Sequence, residues 1–209
     1  MQNIITKYPI TEEEYRVLDE KFGKLCYYAS WQLNKKNSKN NHTDDPEDTV
    51  QSLRIALIRA GSYYKRQTYI EACFNAIGVI EREDNEELGE KAGPPRLVSL
   101  RHVPKDKMLE EIVSHLLDLW TNKTRHGANR QKFGDYHEDL LDMLLHALVP
   151  KEEWPDISAP LVIDLKFVTY CKQIIWNQQK QMGKKITREK SWRTGLVSLS
   201  EFDYLGSTG

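Results

Sequence analysis

The chain has 209 residues, of which 39% are apolar and 29% are charged, and its formal net charge is −1 at neutral pH. This balance is typical of a water-soluble globular protein, and it excludes a uniformly basic nucleic-acid-binding protein. No apolar run approaches the roughly 18 residues that a membrane-spanning helix needs, so we expect no membrane association. The N-terminal residues lack the pattern of a signal peptide, and the three widely spaced cysteines are odd in number, so we expect reduced thiols and a cytoplasmic protein.

The first half of the chain is predicted to form three helices. Thr11 is followed by three glutamates, which is typical of a helix N-cap with acids in the first turn, and apolar residues continue at helical spacing from Tyr15 to Ala29. A polar loop follows. A second helix is predicted from Pro46 to near Gly61 and a third over 68–83, before a charged linker that contains glycine and proline.

The second half is predicted to form three further helices, at about 105–121, 136–148 and 162–182. From Gly183 the tail is first basic and then hydrophobic and acidic. The sequence therefore predicts an all-α helical bundle. We expect a helical domain at 1–83, the linker at 84–104, a second helical domain at 105–182 and the tail at 183–209.

Three short matches occur in the same order in the two halves, as expected for two similar three-helix units. Helical sequences also supply such short matches by chance, and the sequence leaves both explanations open. The matches are Glu47-Asp48 with Glu138-Asp139, Thr68-Tyr69 with Thr169-Tyr170, and the two Leu-Val-Ser-Leu segments that end at Leu100 and Leu199.

Positive charge is concentrated in three segments although the whole chain is nearly neutral. Shorter basic segments lie at 35–39 and 123–132. Such segments can bind phosphate while acidic segments bind a protein, and the alternative is a set of solvated helix faces. The longest segment contains one acid, Glu189, beside seven basic residues, which are Lys172, Lys180, Lys184, Lys185, Arg188, Lys190 and Arg193.

The sequence contains no local motif for catalysis or metal binding. His137-Glu138 is not an HExxH motif, because Leu141 stands where the second histidine is needed, and no phosphate-binding glycine loop, GxSxG motif or zinc spacing occurs. We therefore expect no catalytic residue, no metal, no cofactor and no enzymatic activity. An active site assembled from distant residues is the alternative that the sequence leaves open.

Residues 47–77, EDTVQSLRIALIRAGSYYKRQTYIEACFNAI, resemble region 2 of the sigma-70 family of transcription initiation factors. In that family an Asp-Leu-x-Gln helix docks on the polymerase clamp, and a Phe-x-Thr-Tyr helix melts and reads promoter DNA. Asp48-Thr49-Val50-Gln51 and Thr68-Tyr69 correspond to these motifs, although Ala72 and Cys73 replace the family's Trp pair. The stretch is also similar to late-transcription sigma factors of large bacteriophages, which implies a phage-encoded protein in the cytoplasm of a bacterial host.

The resemblance implies a protein that binds RNA polymerase core and promoter DNA. The implied polymerase-binding residues, with Leu57 or Ile58 as the apolar anchor, are Asp48, Gln51, Ser52, Ile58 and Arg59. The implied DNA-binding residues combine aromatic and basic side chains around both Thr-Tyr segments. They are Tyr63, Tyr64, Lys65, Arg66, Thr68, Tyr69, Lys166, Phe167, Tyr170, Lys172, Trp176, Lys180, Lys184 and Lys185. The alternative is that the aromatic side chains pack in the core and the lysines are only solvated.

The C-terminal segment LSEFDYL resembles the hydrophobic and acidic tail with which those phage factors bind a sliding clamp, here through Phe202, Tyr204 and Leu205. Folding of this segment onto the body of the protein is the alternative. The second functional hypothesis is a non-catalytic helical adaptor or structural protein that binds a protein partner through this tail.

Overall fold

The computed structural model describes residues 4–38, 45–81, 95–103, 105–121 and 133–205, and the side chains of 36–38, 187 and 189–205 lie outside that description. The described part is mainly helical, which confirms the predicted class, and it includes one two-stranded sheet. None of its helices combines the length and apolar character that a membrane crossing requires. The elements are α1 Ile4–Lys7, α2 Glu12–Ser38, α3 Pro46–Ile77, β1 Gly78–Glu81, β2 Arg96–Leu100, α4 Lys107–Thr121, α5 Asp135–Leu148, a 3-10 turn Lys151–Glu153 and α6 Leu165–Leu205.

The chain divides into two compact units, and each is made from two separate segments. Unit 1 consists of Met1–Tyr8 and Lys65–Ala159, and unit 2 consists of Pro9–Tyr64 and Pro160–Gly209. The division falls within α3. It differs from the sequential domains expected from the pattern, because periodicity along the chain indicates which face of a helix is buried but not which helix covers it.

The core of unit 1 is formed by the last turns of α3, by α4 and by α5. α4 is strongly amphipathic, since its buried residues recur at the spacing of one helix face: Val113, Leu116, Leu117 and Trp120. Leu141 and Leu145 of α5 are buried in the same cluster. Burial of each such side chain contributes about 1.5–3 kcal/mol, so these apolar faces hold α4 and α5 in the unit.

A β-hairpin, which the sequence pattern did not predict, follows α3 directly. β1 pairs with β2 in the antiparallel sense, with Gly78 opposite Leu100. A side chain at Gly78 would displace its neighbours, since a Cβ atom there would overlap the Cδ1 methyl of Leu97 and lie 3.1 Å from the carbonyl oxygen of Ser99. The predicted third helix therefore ends at Ile77 rather than beyond it, and most of the charged stretch between the two strands lies outside the described residues.

The core of unit 2 is formed by α2, the first part of α3 and the first part of α6. The buried residues recur three or four positions apart on each helix, which is the spacing of one helix face. They are Leu18, Phe22, Cys26 and Ala29 on α2, Leu53, Leu57 and Ala60 on α3, and Phe167, Cys171 and Ile175 on α6.

Side-chain caps mark the starts of the first two long helices, as the sequence predicts. The Thr11 N–H donates to a carboxylate oxygen of Glu14 at 2.7 Å, and the Glu14 N–H donates to the Thr11 hydroxyl at 3.2 Å. This reciprocal pair is a capping box and satisfies two N–H groups that the helix itself leaves unpaired. At α3, the Glu47 N–H donates to Oδ1 of Asp45 at 2.9 Å.

Gly61 does not end a helix, and the predicted break there is wrong. α3 continues without interruption from Pro46 to Ile77. A Cβ atom at Gly61 would lie 2.7 Å from Cδ1 of Ile10 and 3.5 Å from the side chain of Leu161. Glycine at this position therefore leaves room for the Ile10 side chain and does not mark a change of backbone direction.

The last helix is longer than predicted, because α6 continues through Gly183 to Leu205 instead of ending near Met182. This extension also removes one of the three matches that indicated an internal duplication. The first Leu-Val-Ser-Leu segment forms most of β2, whereas the second lies within α6. The same four residues thus adopt a strand in one place and a helix in the other, since tertiary packing overrides the weak preference of so short a segment.

Candidate nucleic-acid interface

The polar residues that the resemblance assigns to polymerase binding lie mainly on one exposed stripe of α3 in unit 2. Asp48, Gln51 and Arg59 are exposed, and Ser52 is half-buried. The stripe also carries Ile55, whose side chain is 43% exposed. Spacings of three and four residues place these positions on one side of a helix. We call Asp48, Gln51, Ser52, Ile55 and Arg59 the α3 stripe.

The apolar anchor proposed for this surface needs correction. Leu57 is 2% exposed and belongs to the core of unit 2, so it is unavailable to a partner. Ile58 is half-buried and lies beside the stripe rather than on it. Ile55 is the exposed apolar residue at the required position, which the sequence pattern alone did not distinguish from the core positions around it.

Several predicted DNA-binding residues of α3 are buried or bonded to other residues of the protein. In unit 2, the Tyr64 hydroxyl donates to Asp164 at 2.9 Å, and its ring lies 4.8 Å from that of Phe167. In unit 1, Lys65 is buried, and Nε of Arg66 lies 2.5 Å from Oε2 of Glu138. We therefore correct the assignment of these side chains to DNA, because burial and internal partners keep them from an external ligand.

The assignment of Tyr69 to DNA binding is also corrected, whereas two nearby predicted residues are exposed. The hydroxyl of Tyr69 donates to Oδ1 of Asp142 at 3.1 Å within unit 1, and burial raises the pKa of its phenol. Tyr63, in unit 2, is 45% exposed, and Thr68, in unit 1, is also exposed. The Thr-Tyr segment is thus a core element of unit 1 more than a surface for DNA.

Arg66 belongs to a buried ionic cluster that centres on Glu138 and that the sequence did not reveal. Glu138 accepts from the Tyr8 hydroxyl at 2.6 Å, and its Oε1 lies 2.5 Å from Nζ of Lys7. Burial alone raises the pKa of Glu138, but hydrogen bonds from Lys7, Tyr8 and Arg66 and the Arg66 charge lower it by more, so the pKa lies below its ordinary value. A carboxylate held ionised by these donors acts as a structural anion.

The described residues include no group of three metal-ligating side chains that could hold a metal ion.

α6 presents an exposed basic surface in unit 2. No aspartate or glutamate occurs between Leu165 and Arg188. Among the predicted residues, Lys166, Lys172, Lys180, Lys184 and Lys185 are all exposed. Because no acid occurs along this stretch of α6, the helix itself carries a net positive charge there, which attracts anions.

The aromatic residues predicted on α6 differ in their exposure. Phe167 is 0% exposed and lies in the core of unit 2, so its assignment to DNA is corrected. Tyr170 and Trp176 are half-buried. Burial raises the pKa of the Tyr170 phenol, and the neighbouring Tyr63 raises it further. Trp176 has both a buried side and an accessible side, which suits a residue at the edge of a binding surface.

A cluster of exposed aromatic rings lies beside Trp176 and was missed in the sequence. On α2, Tyr27, Tyr28 and Trp31 are 56%, 50% and 55% exposed. The ring centroids of Tyr28 and Trp31 lie 6.0 Å apart with the planes 22° from parallel, and Tyr28 meets Trp176 edge-on at 6.3 Å. The sequence could have indicated their exposure, since these aromatic residues do not belong to the helical repeat Leu18–Phe22–Cys26–Ala29 that forms the buried face of α2.

α2 and α6 run in the same direction where this cluster lies. Tyr28 is at the level of Trp176, the Gln179 amide donates to the Ala29 carbonyl at 2.8 Å, and a Cβ at Gly183 would lie 3.4 Å from Leu33. Later residues on one helix therefore meet later residues on the other. Lysines consequently flank the aromatic rings at both ends and on both helices.

We define the aromatic–basic face as the exposed surface of unit 2 shared by α2 and α6. Its positions on each helix are separated by three or four residues and thus lie on one side. α2 carries no acid between Lys21 and Ser38, so neither helix places a negative charge within the face. Its members are Lys24, Tyr28, Trp31 and Lys35 on α2, and Lys172, Trp176, Lys180 and Lys184 on α6.

The predicted C-terminal binding segment lies at the end of α6. The backbone of Phe202, Tyr204 and Leu205 is helical, whereas their side chains lie outside the described residues. The prediction of a clamp-binding tail therefore stays a prediction.

No protein-family model, curated protein or solved structure matches this chain. The class of protein is therefore given by the described fold, a mainly helical chain with two compact units. What is proposed of its function depends on the surfaces described above.

Proposed function

We propose that this protein binds nucleic acid through the aromatic–basic face and acts as a sigma-type transcription initiation factor. The observation that carries the proposal is the basic character of α6, where five exposed lysines occur without an intervening acid and three of them, Lys172, Lys180 and Lys184, belong to the aromatic–basic face. Lysines arranged in this way release counterions from nucleic acid on binding, which supplies sequence-independent affinity. The protein needs no catalytic group for this role.

Aromatic rings among the lysines favour nucleic acid over an acidic protein as the partner. Phosphate groups and bases occur together in a nucleic acid, and Lys180 stands one helical turn from Trp176. Lysine contacts to phosphate with aromatic contacts to bases are the combination found in proteins that bind single strands. An acidic protein surface would use the charges but would leave the rings without a matching partner.

The polymerase contact is assigned to the α3 stripe. This stripe combines charged and amide side chains with one exposed apolar residue, Ile55. Interfaces commonly place an apolar or aromatic anchor among polar groups that orient the partner. The resemblance to the family's docking helix singled out Asp48 and Gln51, and their exposure leaves both side chains available to a partner.

Transcription from native DNA by bacterial core RNA polymerase, with and without the protein, tests the proposed role. We expect promoter-dependent transcripts only when the protein is present. Copurification with core polymerase should fall in a variant with Asp48→Ala and Gln51→Ala. The matched control changes Glu71→Ala and Asn75→Ala, which are exposed positions of α3 outside the stripe. Equal polymerase binding by both folded variants would remove the docking assignment.

A second candidate function is the non-catalytic adaptor, and exposed apolar residues of unit 1 favour it. Met108, Tyr136 and Met143 are 73%, 73% and 68% exposed. Contiguous exposed apolar surface is typical of protein contacts, and Tyr136 and Met143 are seven positions apart, on one side of α5. If the adaptor role is correct, Tyr136→Ser with Met143→Glu removes a protein partner that the unmodified chain retains, and nucleic-acid binding is absent from both proteins.

A further inference from the structure

We infer that the aromatic–basic face is a binding site for single-stranded nucleic acid, in which unpaired bases stack on Tyr28, Trp31 and Trp176 while the flanking lysines contact phosphates. This inference rests on the proposed nucleic-acid function and adds to it the form of the ligand and the residues that select it. None of the α2 residues was singled out by the sequence resemblance, so the site is independent of the motifs in α3.

The exposure of the aromatic rings indicates that they are available to a ligand. Tyr28 and Trp31 each keep about half of their surface in contact with solvent. They are also adjacent, and Trp176 from the other helix joins them. Three neighbouring rings, two of them exposed and one half-buried, form a surface on which flat apolar groups can stack, and every nucleic-acid base has a flat face.

The positive charge around the rings favours a phosphate-bearing ligand over a cationic one. An aromatic cluster of this kind can also bind a quaternary ammonium group. Here Nζ of Lys35 already lies 4.9 Å from the centroid of the Trp31 ring, and Lys180 follows Trp176 by one turn. A second cation at these rings would be repelled by the lysines, whereas a phosphate-bearing ligand would be attracted.

The dimensions of the face fit a short strand. Lys24 and Lys35 are eleven positions apart on α2, which corresponds to about 16 Å at the rise of an α-helix. This length matches roughly five stacked nucleotides at the spacing of about 3.4 Å per nucleotide in one strand. The rings lie between the lysines, so the bases would stack at the centre while the backbone meets positive charge on either side.

Base pairing decides which form of nucleic acid can use the rings. In a duplex each base is stacked on both faces, so a ring on a helix surface cannot reach it without unstacking. A duplex would therefore contact only the lysines, and a single strand would contact the lysines and the rings. Loss of one stacking ring should lower single-strand affinity by about 5- to 150-fold, the range measured for one base on one aromatic residue.

Fluorescence anisotropy with the full chain tests this inference. The probes are labelled oligothymidylate DNA, the corresponding oligouridylate RNA and a blunt DNA duplex. We expect Trp31→Ala with Tyr28→Ala to weaken binding of the single strands at least tenfold and to leave duplex binding within twofold. Lys180→Glu should weaken binding of all three probes, because it removes a phosphate contact that is common to them.

Matched controls come from exposed positions of unit 1. Tyr136→Ala removes an exposed aromatic ring and Lys107→Glu reverses an exposed charge, and neither should change binding to any probe. Trp31→Phe with Tyr28→Phe keeps the ring faces and should restore most of the single-strand affinity. Thermal melting of each variant verifies folding, which exposed substitutions should preserve.

The outcomes separate this inference from the function on which it rests. Unchanged single-strand affinity in the folded Trp31→Ala, Tyr28→Ala variant, together with a loss in Lys180→Glu, would overturn the stacking site while nucleic-acid binding stands. No measurable binding of any probe by the unmodified chain would overturn both. Preferential binding of either the DNA or the RNA strand supports the site, and the two arms show which backbone it accepts.

Discussion

The hydroxyl of Tyr8 donates a hydrogen bond of 2.6 Å to Oε1 of Glu138, a residue 130 positions later in the chain. Lys7 and Arg66 bind the same carboxylate, and the ring of Tyr8 lies 5.8 Å from that of Tyr69. Three segments that are distant in the chain, namely the N-terminal residues, α3 and α5, thus meet at one buried anion. This cluster ties the short N-terminal segment to the rest of unit 1, and its removal should be measurable.

Glu138→Gln should destabilise unit 1 by about 3 kcal/mol, because breaking a buried ion pair on one side leaves the partner charges uncompensated. Urea unfolding followed by circular dichroism measures the change. Asp139→Asn is the matched control, since the neighbouring side chain is 74% exposed and exposed pairs contribute little. A loss no larger than that of the control would mean that Glu138 does not hold the segments together.

The same carboxylate predicts how stability depends on pH. The pKa of Glu138 is lower in the folded protein than its ordinary value of 4.5. The unfolded state therefore binds the proton more tightly, so the contribution of Glu138 is fully present above about pH 4.5 and is lost as the pH falls through the folded pKa. Melting temperatures of the unmodified chain and of Glu138→Gln should converge below pH 4.5 and stay apart at neutral pH. A constant difference across that range would contradict the assignment.

Two helical glycines should respond oppositely to the same substitution. Gly61→Ala places a Cβ atom 2.7 Å from Cδ1 of Ile10 and should cost about 1–3 kcal/mol, as overpacking of a core does. Gly183→Ala meets only an ordinary contact of 3.4 Å with Leu33 and should stabilise α6 by up to about 1 kcal/mol, the difference in helix propensity. Thermal unfolding of both variants checks the signs, and Ile10→Ala should relieve the Gly61→Ala defect.

The three cysteines should be unreactive until the protein unfolds. All three side chains are buried. Burial raises the pKa of Cys26 to about 11 and that of Cys73 and Cys171 to about 12, so few thiolates form at neutral pH. Alkylation by iodoacetamide at pH 8, followed by mass spectrometry, should modify none of them in native protein and all of them in denaturant. Rapid labelling of one thiol in native protein would show that its surroundings open.

Helical character could be predicted from the sequence because it depends on neighbours a few positions apart. The capping box at Thr11 and Glu14 and the basic, acid-free stretch of α6 are properties of this kind. Glycine was less informative, since Gly61 looks like a helix end in the sequence and is buried within α3. Its meaning depends on Ile10, which is distant in the chain.

Which aromatic residues are exposed could not be predicted from composition, because it depends on what covers each helix face. Phe167 and Trp31 are both large and apolar and both lie in long helices, yet one is fully buried and the other is half exposed. Likewise, the sequence presents Arg66 only as a basic residue close to a Thr-Tyr motif. The structure shows that it pairs with Glu138, which is distant in the chain.

By itself the sequence determined the mainly helical class, the start of α2 and the concentration of positive charge on α6, because each follows from local spacing and local charge. Only the tertiary structure decided that Lys7, Tyr8 and Arg66 converge on Glu138 and that Tyr28 and Trp31 meet Trp176. The physical reason is that burial and ion pairing belong to pairs of surfaces, and the pairing of surfaces distant in the chain leaves no periodic signal along it.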